Sequence, residues 1–256
     1  MKNFEIEIEK LKKTSIKASQ VETLQKINKL FLTEYMLKID DDFVLYPIEV
    51  EAYYYHENNF PDTCVHKYQW QQNRFGKLYF HRAGKNTDAA FLYDGGGIDV
   101  CLSNSNDFFL GILIRGAWIN QEDIPICTPG ILTRRVVSHI CKNDVIVKIT
   151  DTERAKIQEL EENNQIVQLA TNDKRIKDST LFQSTRFGIK PENHPEYASY
   201  KLRSLIELNE PNHPFRAKEK VVLDHMRDHK KEPSADNVRK LLGYKSNWII
   251  EQLESK

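Results

Sequence analysis

A series of short strand-like segments between residues 43 and 119 constrains the fold more than any other feature of the sequence. FVLYPIEVEAYY, which begins at Phe43, is rich in β-branched and aromatic residues and has no helical period, so it indicates a strand. GKLYFHR, AAFLYD, GIDVCLS and FFLGILIRGAWI have the same character, and turn residues separate them. Short connections favour antiparallel pairing. The sequence therefore predicts an α+β fold, a single mixed domain around a curled antiparallel β-sheet with flanking helices.

Helical patterns lie on both sides of these strands. VETLQKINKLFL has apolar residues at helical spacing, and Ser19 and Glu22 form a capping-box pattern at its start. PGILTRRVVSHI has a proline at its first turn, whereas DTERAKIQELEENNQ has little apolar face and is predicted to be a solvated helix. VIVKIT and YKLRSLIEL are predicted as further strands. We expect a main domain over residues 1–210 and a helical C-terminal extension over 211–256, with two or three short helices and Ser234 as an N-cap.

Charge and hydropathy exclude some partners. The 37 basic and 37 acidic side chains cancel, so no field of the whole molecule attracts nucleic acid or an anionic membrane, and any such binding needs a local patch. No window approaches the roughly 18 apolar residues of a membrane span, and the N-terminus lacks an apolar signal region. We therefore expect a soluble, cytoplasmic protein without a membrane partner. The four cysteines lack the spacing of a disulfide framework and are expected to be reduced: Cys64, Cys101, Cys127 and Cys141.

The stretch IEVEAYYYHENNFPDTCVH, residues 48–66, holds the first candidate site. Strand alternation places Glu49, Glu51 and Tyr53 on one face. A carboxylate on a buried strand face is costly unless it is paired or used, so one of the two glutamates is expected to have a function. The alternative is a strand face that is simply solvated.

Residues of the same stretch also have the side chains of a zinc site. His56, Cys64 and His66 offer imidazole and thiolate ligands, and His81 could join them only if the fold brings it close. A closed site needs four ligands, and the sequence offers no second close pair. Separate loop or pocket roles are therefore favoured over a metal site.

Two later segments are candidates for anion or carboxylate contacts. YDGGGIDV, residues 93–100, could bring its backbone close to a phosphate, but it has no phosphate-binding motif and is followed by a strand, so a hairpin turn is favoured unless Asp94 or Asp99 has a role. Arg115 lies within the apolar strand GILIRGA, where an arginine normally meets a carboxylate or a phosphate. An internal ion pair with one of the acids above is the alternative to a ligand contact.

The C-terminal segment KLLGYKSNWIIEQLE has the sequence pattern of a helix-turn-helix, with lysines and aromatic residues. Such a segment can contact DNA, but the same pattern is common in small helical caps that touch no nucleic acid. The sequence favours the cap.

Taken in order, these segments resemble the alkyladenine (3-methyladenine) DNA glycosylase family. The helix VETLQKINKLFL leads into a strand with Glu51 in an E-A-Y motif, and His66 follows. GKLYFH resembles the next strand of the family, and ILIRGA supplies Arg115. TPGILTRR, TRFGI and YASYKLRSLI resemble its later helix and closing segment. The likeness covers residues 20–140 and 184–208 and does not include the tail.

The resemblance implies a monomeric enzyme that binds double-stranded DNA with a modified base and needs no metal or other cofactor. Glu51 would be the catalytic residue that activates water, Arg115 would lie near the backbone of the flipped nucleotide, and Tyr93 would fill the gap left in the base stack. The base pocket would be formed by Tyr53, His66, His81 and Ser103. His81 stands where the family usually has a tyrosine, and Ser103 stands near its pocket asparagine. A local basic face for DNA would comprise Arg134, Arg135, Lys142, Arg186, Lys201 and Arg203.

Three functional hypotheses follow. The first is base excision of a damaged or modified purine, and it requires Glu51 in a pocket with His66 and Tyr53. The second is a non-catalytic nucleic-acid-binding relative, in which Glu51 is tied up in an ion pair and there is no cavity. The third is a nucleoside or nucleotide hydrolase, in which the GGG loop and Arg115 converge on one anion site.

Overall fold

The computed structural model describes residues 1–67, 71–82, 96–120, 122–142, 149–163, 165–169, 180–210 and 212–255. Two sequence predictions fall on other residues. The strand AAFLYD, with Tyr93, lies outside the described residues, and so do the first four residues of VIVKIT.

The strands form one antiparallel sheet. They are β1 (Tyr35–Lys38), β2 (Val44–Tyr55), β3 (Leu78–Phe80), β4 (Ile98–Cys101), β5 (Phe109–Ile119), β6 (Ile166–Gln168), β7 (Phe182–Ser184) and β8 (Arg203–Leu205). The main order is β3-β4-β5-β2-β1-β6, while β8 pairs with both β2 and β7. Every pairing is antiparallel. The predicted α+β fold with a curled antiparallel sheet is confirmed.

The described residues also form seven α-helices. They are α1 (Lys2–Lys13), α2 (Lys17–Glu34), α3 (Pro129–Cys141), α4 (Asp151–Glu162), α5 (Lys218–Asp228), α6 (Ala235–Leu242) and α7 (Asn247–Glu254). The helical patterns predicted α2 to α7, and the hydroxyl of Ser234 caps α6 by accepting from the Asn237 N–H at 3.2 Å. None of these helices is both long and apolar enough to cross a bilayer.

Two details of the helix predictions were wrong. The capping box at Ser19 does not form, because α2 already begins at Lys17 and Ser19 lies inside it. A true capping box opens α4, where Thr150 and Glu153 exchange side-chain and backbone hydrogen bonds. The predicted solvated character of α4 also fails, since Ile157 and Leu160 are buried.

Strand β2 is the centre of the sheet and carries the candidate glutamates. Strand β5 pairs along one edge of β2, while β1 and β8 share the other edge. A β-bulge near Pro47 shifts the register so that Glu49 faces Gly116 and Glu51 faces Leu113. Because β8 pairs with the same segment from the other side, Glu49 and Glu51 are enclosed by strands at both edges. Both side chains are fully buried, which excludes a solvated strand face.

The C-terminal helices share the hydrophobic core of the sheet. Met226 of α5, Leu242 of α6 and Ile249 of α7 belong to the same cluster of buried residues as the strands. Helix α5 packs on β7, where the rings of Phe182 and His225 lie 4.8 Å apart. The domain boundary at residue 210 stays a prediction.

Candidate active site

A cavity of about 110 Å³ opens between β2, β4, β5 and the loops that precede and follow the short strand β3. Its described walls are Tyr53, Cys64, Val65, His66, Gln71, His81, Asp99, Phe109, Leu110, Gly111, Leu113 and Ile189. Most of this lining is apolar or aromatic, with a small polar group on one side. The fold therefore brings together three residues that the sequence placed in a base pocket, Tyr53, His66 and His81.

The polar wall of the cavity is a hydrogen-bonded chain of His81, Asp99 and Gln71. His81 directly follows β3, and its Nε2 lies 3.0 Å from Oδ1 of Asp99 on β4. Gln71 donates from its side-chain amide to the other carboxylate oxygen of Asp99 at 3.0 Å. Burial lowers the pKa of His81, but the charge and hydrogen bond of Asp99 outweigh burial and leave that pKa raised. The pair thus favours a protonated imidazole.

Gly97 provides the space that this imidazole occupies. A Cβ atom at Gly97 would lie 2.6 Å from Cδ1 of Leu113 and 3.1 Å from Cε1 of His81. Both distances are shorter than normal van der Waals contact. A side chain at this position would force Leu113 or His81 to shift.

Tyr53 and His66 form the aromatic part of the wall. The Tyr53 ring packs under the guanidinium of Arg186 at 4.8 Å, and the rings of His66 and His81 are 5.9 Å apart. Burial and the neighbouring charge of His81 lower the pKa of His66. The His66 ring therefore favours its neutral form, which suits contact with an uncharged planar ligand.

Glu51 lies one side chain behind the cavity wall. One of its oxygens, Oε2, accepts a hydrogen bond from the Tyr53 hydroxyl at 2.9 Å and lies 3.4 Å from Nη1 of Arg115. The other oxygen accepts from the backbone N–H of Phe187 at 2.6 Å. Burial raises the pKa of Glu51, while Arg115 and the Phe187 N–H oppose that effect. The ring of Tyr53 faces the cavity and its hydroxyl reaches Glu51, so Tyr53 connects the two.

Arg115 lies between the two glutamates of β2. Its Nε donates to Glu49 at 2.9 Å, and Arg203 donates to the same carboxylate oxygen at 2.8 Å. The ring of Phe187 covers both guanidinium groups, at 5.1 Å from Arg115 and 5.8 Å from Arg203. The structure thus shows the internal ion pair that the sequence left open. Residues 93–95 of the glycine loop lie outside the described residues, so an anion site between that loop and Arg115 stays a prediction. A contact between Arg115 and a nucleotide backbone stays a prediction.

Most of the expected basic face is already engaged in ion pairs. Arg186 and Arg203 are buried, and Arg186 binds Asp62 at 2.7 Å. At the surface, Lys201 pairs with Asp228 and Arg135 with Glu122, each at 2.5 Å. Arg186 and Arg203 are therefore not part of an open basic face, and a face formed by the other four residues stays a prediction. Sequence alone did not show these ion pairs because the pairing acids come from distant segments.

The remaining site residues lie elsewhere. Ser103 is buried, but its hydroxyl accepts from the Leu110 N–H at 2.7 Å and it is not part of the described cavity wall. Tyr93 and Asp94 lie outside the described residues. Within the described ranges no three His, Cys, Asp or Glu side chains are grouped to hold a metal. Cys64 does line the cavity, where burial raises the pKa of its thiol to about 12.

A role for Asp99 was left open by the sequence, while Gln71 and Phe187 had none. Asp99 stands between Ile98 and Val100 in a buried strand, so the argument applied to the β2 glutamates also favours a role for it. Gln71 and Phe187 belong to loops, and no pattern in the sequence marks them.

No protein-family model matches the chain, and the search of curated proteins gave no match. The resemblance to alkyladenine DNA glycosylases rests on the order of its motifs, and the site has to be interpreted from its geometry.

Proposed function

We propose that this chain is a DNA N-glycosylase that flips a modified purine out of the duplex and hydrolyses its glycosidic bond. The observation that carries the proposal is the link between the cavity and Glu51. An aromatic ring and two imidazoles line the cavity, and the hydroxyl of Tyr53 joins that wall to a fully buried carboxylate at 2.9 Å.

The cavity would bind the flipped base. An enzyme that acts on a base in duplex DNA must extrude it and bind it by stacking and edge hydrogen bonds. Tyr53 and His66 offer flat faces for stacking, while His81 offers a ring nitrogen for hydrogen bonding. Glu51 would lie on the sugar side of the bound nucleotide, behind Tyr53.

Glu51 would serve as the general base. Its carboxylate takes a proton from water while the water oxygen bonds to C1′, and the electron pair of the C1′–N bond leaves with the base. The negative charge of the carboxylate also stabilises the oxocarbenium-like transition state. Arg115 and the Phe187 N–H would fix the carboxylate and partly offset the rise that burial causes in its pKa.

One rearrangement is part of the proposal. Both oxygens of Glu51 already have protein partners, and the side chain is fully buried. Water reaches the carboxylate only when the Tyr53 hydroxyl gives up its place on Oε2. Binding of the base against the Tyr53 ring would provide the movement that opens this position.

The test is a panel of duplex oligonucleotides with hypoxanthine, 1,N6-ethenoadenine or 3-methyladenine, incubated with the protein and then cleaved with alkali at abasic sites. The proposal predicts strand cleavage for at least one lesion and none for the undamaged duplex. Free inosine is included because release of hypoxanthine from it, without cleavage of any duplex, would indicate a nucleoside hydrolase instead. Absence of product from all three duplexes would contradict the proposal.

A second candidate is a non-catalytic relative that binds nucleic acid. It is favoured by one observation, the closed set of contacts around Glu51, which includes the ion pair with Arg115. The cavity argues against this candidate, because a protein that binds only the nucleic-acid backbone does not need a pocket for a base. Saturable binding of the lesion duplex with no excision would support this second candidate.

A further inference from the structure

Water activation at Glu51 does not account for the polar wall of the cavity. His81, Asp99 and Gln71 form a continuous hydrogen-bonded chain whose imidazole end lines the cavity. Asp99 and Gln71 are both buried, so the chain is built into the wall. Such a chain fixes the position and protonation of its terminal ring.

We propose that His81 is the specificity-determining donor of the cavity, and that its Nδ1–H binds an acceptor atom on the edge of a purine ring. Asp99 and Gln71 are the positioning residues that hold the imidazole for this contact. The choice of a purine rests on the function proposed above. The ligand class is a purine with N7 or a 6-carbonyl oxygen toward His81, as in 6-oxopurines.

The geometry leaves one nitrogen of His81 for a ligand. Nε2 is held by Asp99 at 3.0 Å, and Asp99 cannot turn away freely because Gln71 holds its other oxygen. Nδ1 has no hydrogen-bond partner among the described residues. It is also not one of their fully buried polar atoms that lack a partner. A Cβ atom at Gly97 would lie 3.1 Å from Cε1 and 3.4 Å from Nδ1, so this edge of the ring stays uncovered only because residue 97 has no side chain. Among the described residues, Nδ1 is therefore the ring nitrogen of His81 that is left for a ligand in the cavity.

The charges around His81 favour the form that donates. Asp99 faces the ring from β4, while the neighbouring rings of His66 and Tyr79 add no full charge when neutral. Burial lowers the pKa of His81, and Asp99 more than offsets this. When the ring loses its proton, the hydrogen that remains is held on Nε2 by Asp99, and Nδ1 becomes an acceptor. Binding to His81 should therefore weaken as the pH rises through the pKa of His81.

The test measures binding of free bases by calorimetry and needs neither DNA nor hydrolysis. Hypoxanthine is compared at pH 6 with 7-deazahypoxanthine, which lacks the N7 acceptor, and with unsubstituted purine, which lacks the 6-oxygen. For the wild type, loss of the acceptor that faces His81 should weaken binding by about tenfold to hundredfold, the usual effect for a hydrogen bond to a charged group. In His81→Phe the three bases should bind alike.

Asp99→Asn provides a second test that keeps the packing of the wall. Without the negative charge, the pKa of His81 falls, so the pH midpoint of hypoxanthine binding should move to lower pH than in the wild type. A residue with only a structural role would change the affinity equally at all pH values. The proposal is overturned if wild type binds all three bases alike, if His81→Phe keeps the discrimination, or if the midpoint does not move.

These outcomes are separable from those of the proposed function. Discrimination that depends on His81, in a protein that cleaves no lesion duplex, would contradict glycosylase activity and leave the base site standing. Cleavage of a lesion duplex without that discrimination would contradict only the role of His81.

Discussion

Glu49 and Glu51 stand two residues apart on one strand, yet their surroundings prepare them for different roles. Glu49 is held between Arg115 and Arg203, at 2.9 and 2.8 Å, and does not reach the cavity. Glu51 has a single guanidinium at 3.4 Å, a phenol and a backbone N–H. Glu49 therefore neutralises buried arginines, while Glu51 keeps a carboxylate beside the cavity wall that is less tightly paired.

Glu49→Gln should destabilise the fold. The substitution leaves the buried guanidinium groups of Arg115 and Arg203 without their shared counter-charge, and breaking a buried pair of this kind costs about 3 kcal/mol of unfolding free energy. Urea unfolding of wild type and variant measures the loss. A change below about 1 kcal/mol would show that the pair contributes little.

Tyr53→Phe separates the two roles given to Tyr53. The variant keeps the ring that lines the cavity and removes the hydroxyl that occupies Oε2 of Glu51. We expect excision within about tenfold of wild type, whereas Tyr53→Ala, which also removes the ring, should lose much more because stacking is worth about 1–3 kcal/mol per base. Single-turnover rates on one lesion duplex test this. Equal losses in both variants would mean that the hydroxyl itself is needed.

At the scale of elements, alternation and turn residues were sufficient to predict the long strands. β2 and β5 were found because each has 11 or 12 residues of β-branched and aromatic character. Strands β1, β6 and β7, of three or four residues, were missed. Strands β3, β4 and β8 are equally short, but they lie within the longer strand-like segments GKLYFHR, GIDVCLS and YKLRSLIEL and were predicted from these. The candidate site was also predicted only in part. The order of the motifs predicted Tyr53, His66 and His81 as pocket residues. Gln71 and Phe187 were not predicted, because they lie in loops whose conformation the sequence does not specify.

The junction of β3 and β4 sets the position of His81, and Gly97 tests it. His81 donates its backbone N–H to the Gly97 carbonyl at 3.0 Å, so the two residues face each other at the end of the pair. Gly97→Ala should displace the imidazole and weaken hypoxanthine binding, because its Cβ would lie 3.1 Å from Cε1. NMR signals of the His81 ring should shift in Gly97→Ala. Unchanged ring signals together with unchanged hypoxanthine binding would contradict this role of Gly97.

At the scale of the whole molecule, the C-terminal helices are part of the core. Their buried residues belong to the same apolar cluster as the sheet, and Arg203 of β8 donates to the carbonyl of Arg216 at 2.8 Å. We therefore expect one cooperative unfolding transition for the chain. Trp118 on β5 and Trp248 on α7 allow a direct check, with single-tryptophan variants that keep one or the other. Different urea midpoints for the two probes would show that residues 211–256 unfold on their own.

Charge at this scale bears on DNA binding. Basic and acidic side chains are equal in number, and several arginines are used internally. Fewer free cations mean fewer counterions released from DNA, so the salt dependence of binding should be shallow for a repair enzyme. Recognition would then depend mainly on the cavity, which makes the chemistry at Glu51 the central claim.

The most direct measurement is the single-turnover excision rate of Glu51→Gln on the lesion duplex that wild type cleaves best. Loss of the general base should lower the rate at least about 100-fold while the variant still binds the duplex. Glu49→Gln is the matched control, assayed at a temperature at which it is fully folded, and it should keep most of the wild-type rate. A Glu51→Gln rate within a few-fold of wild type would contradict the account.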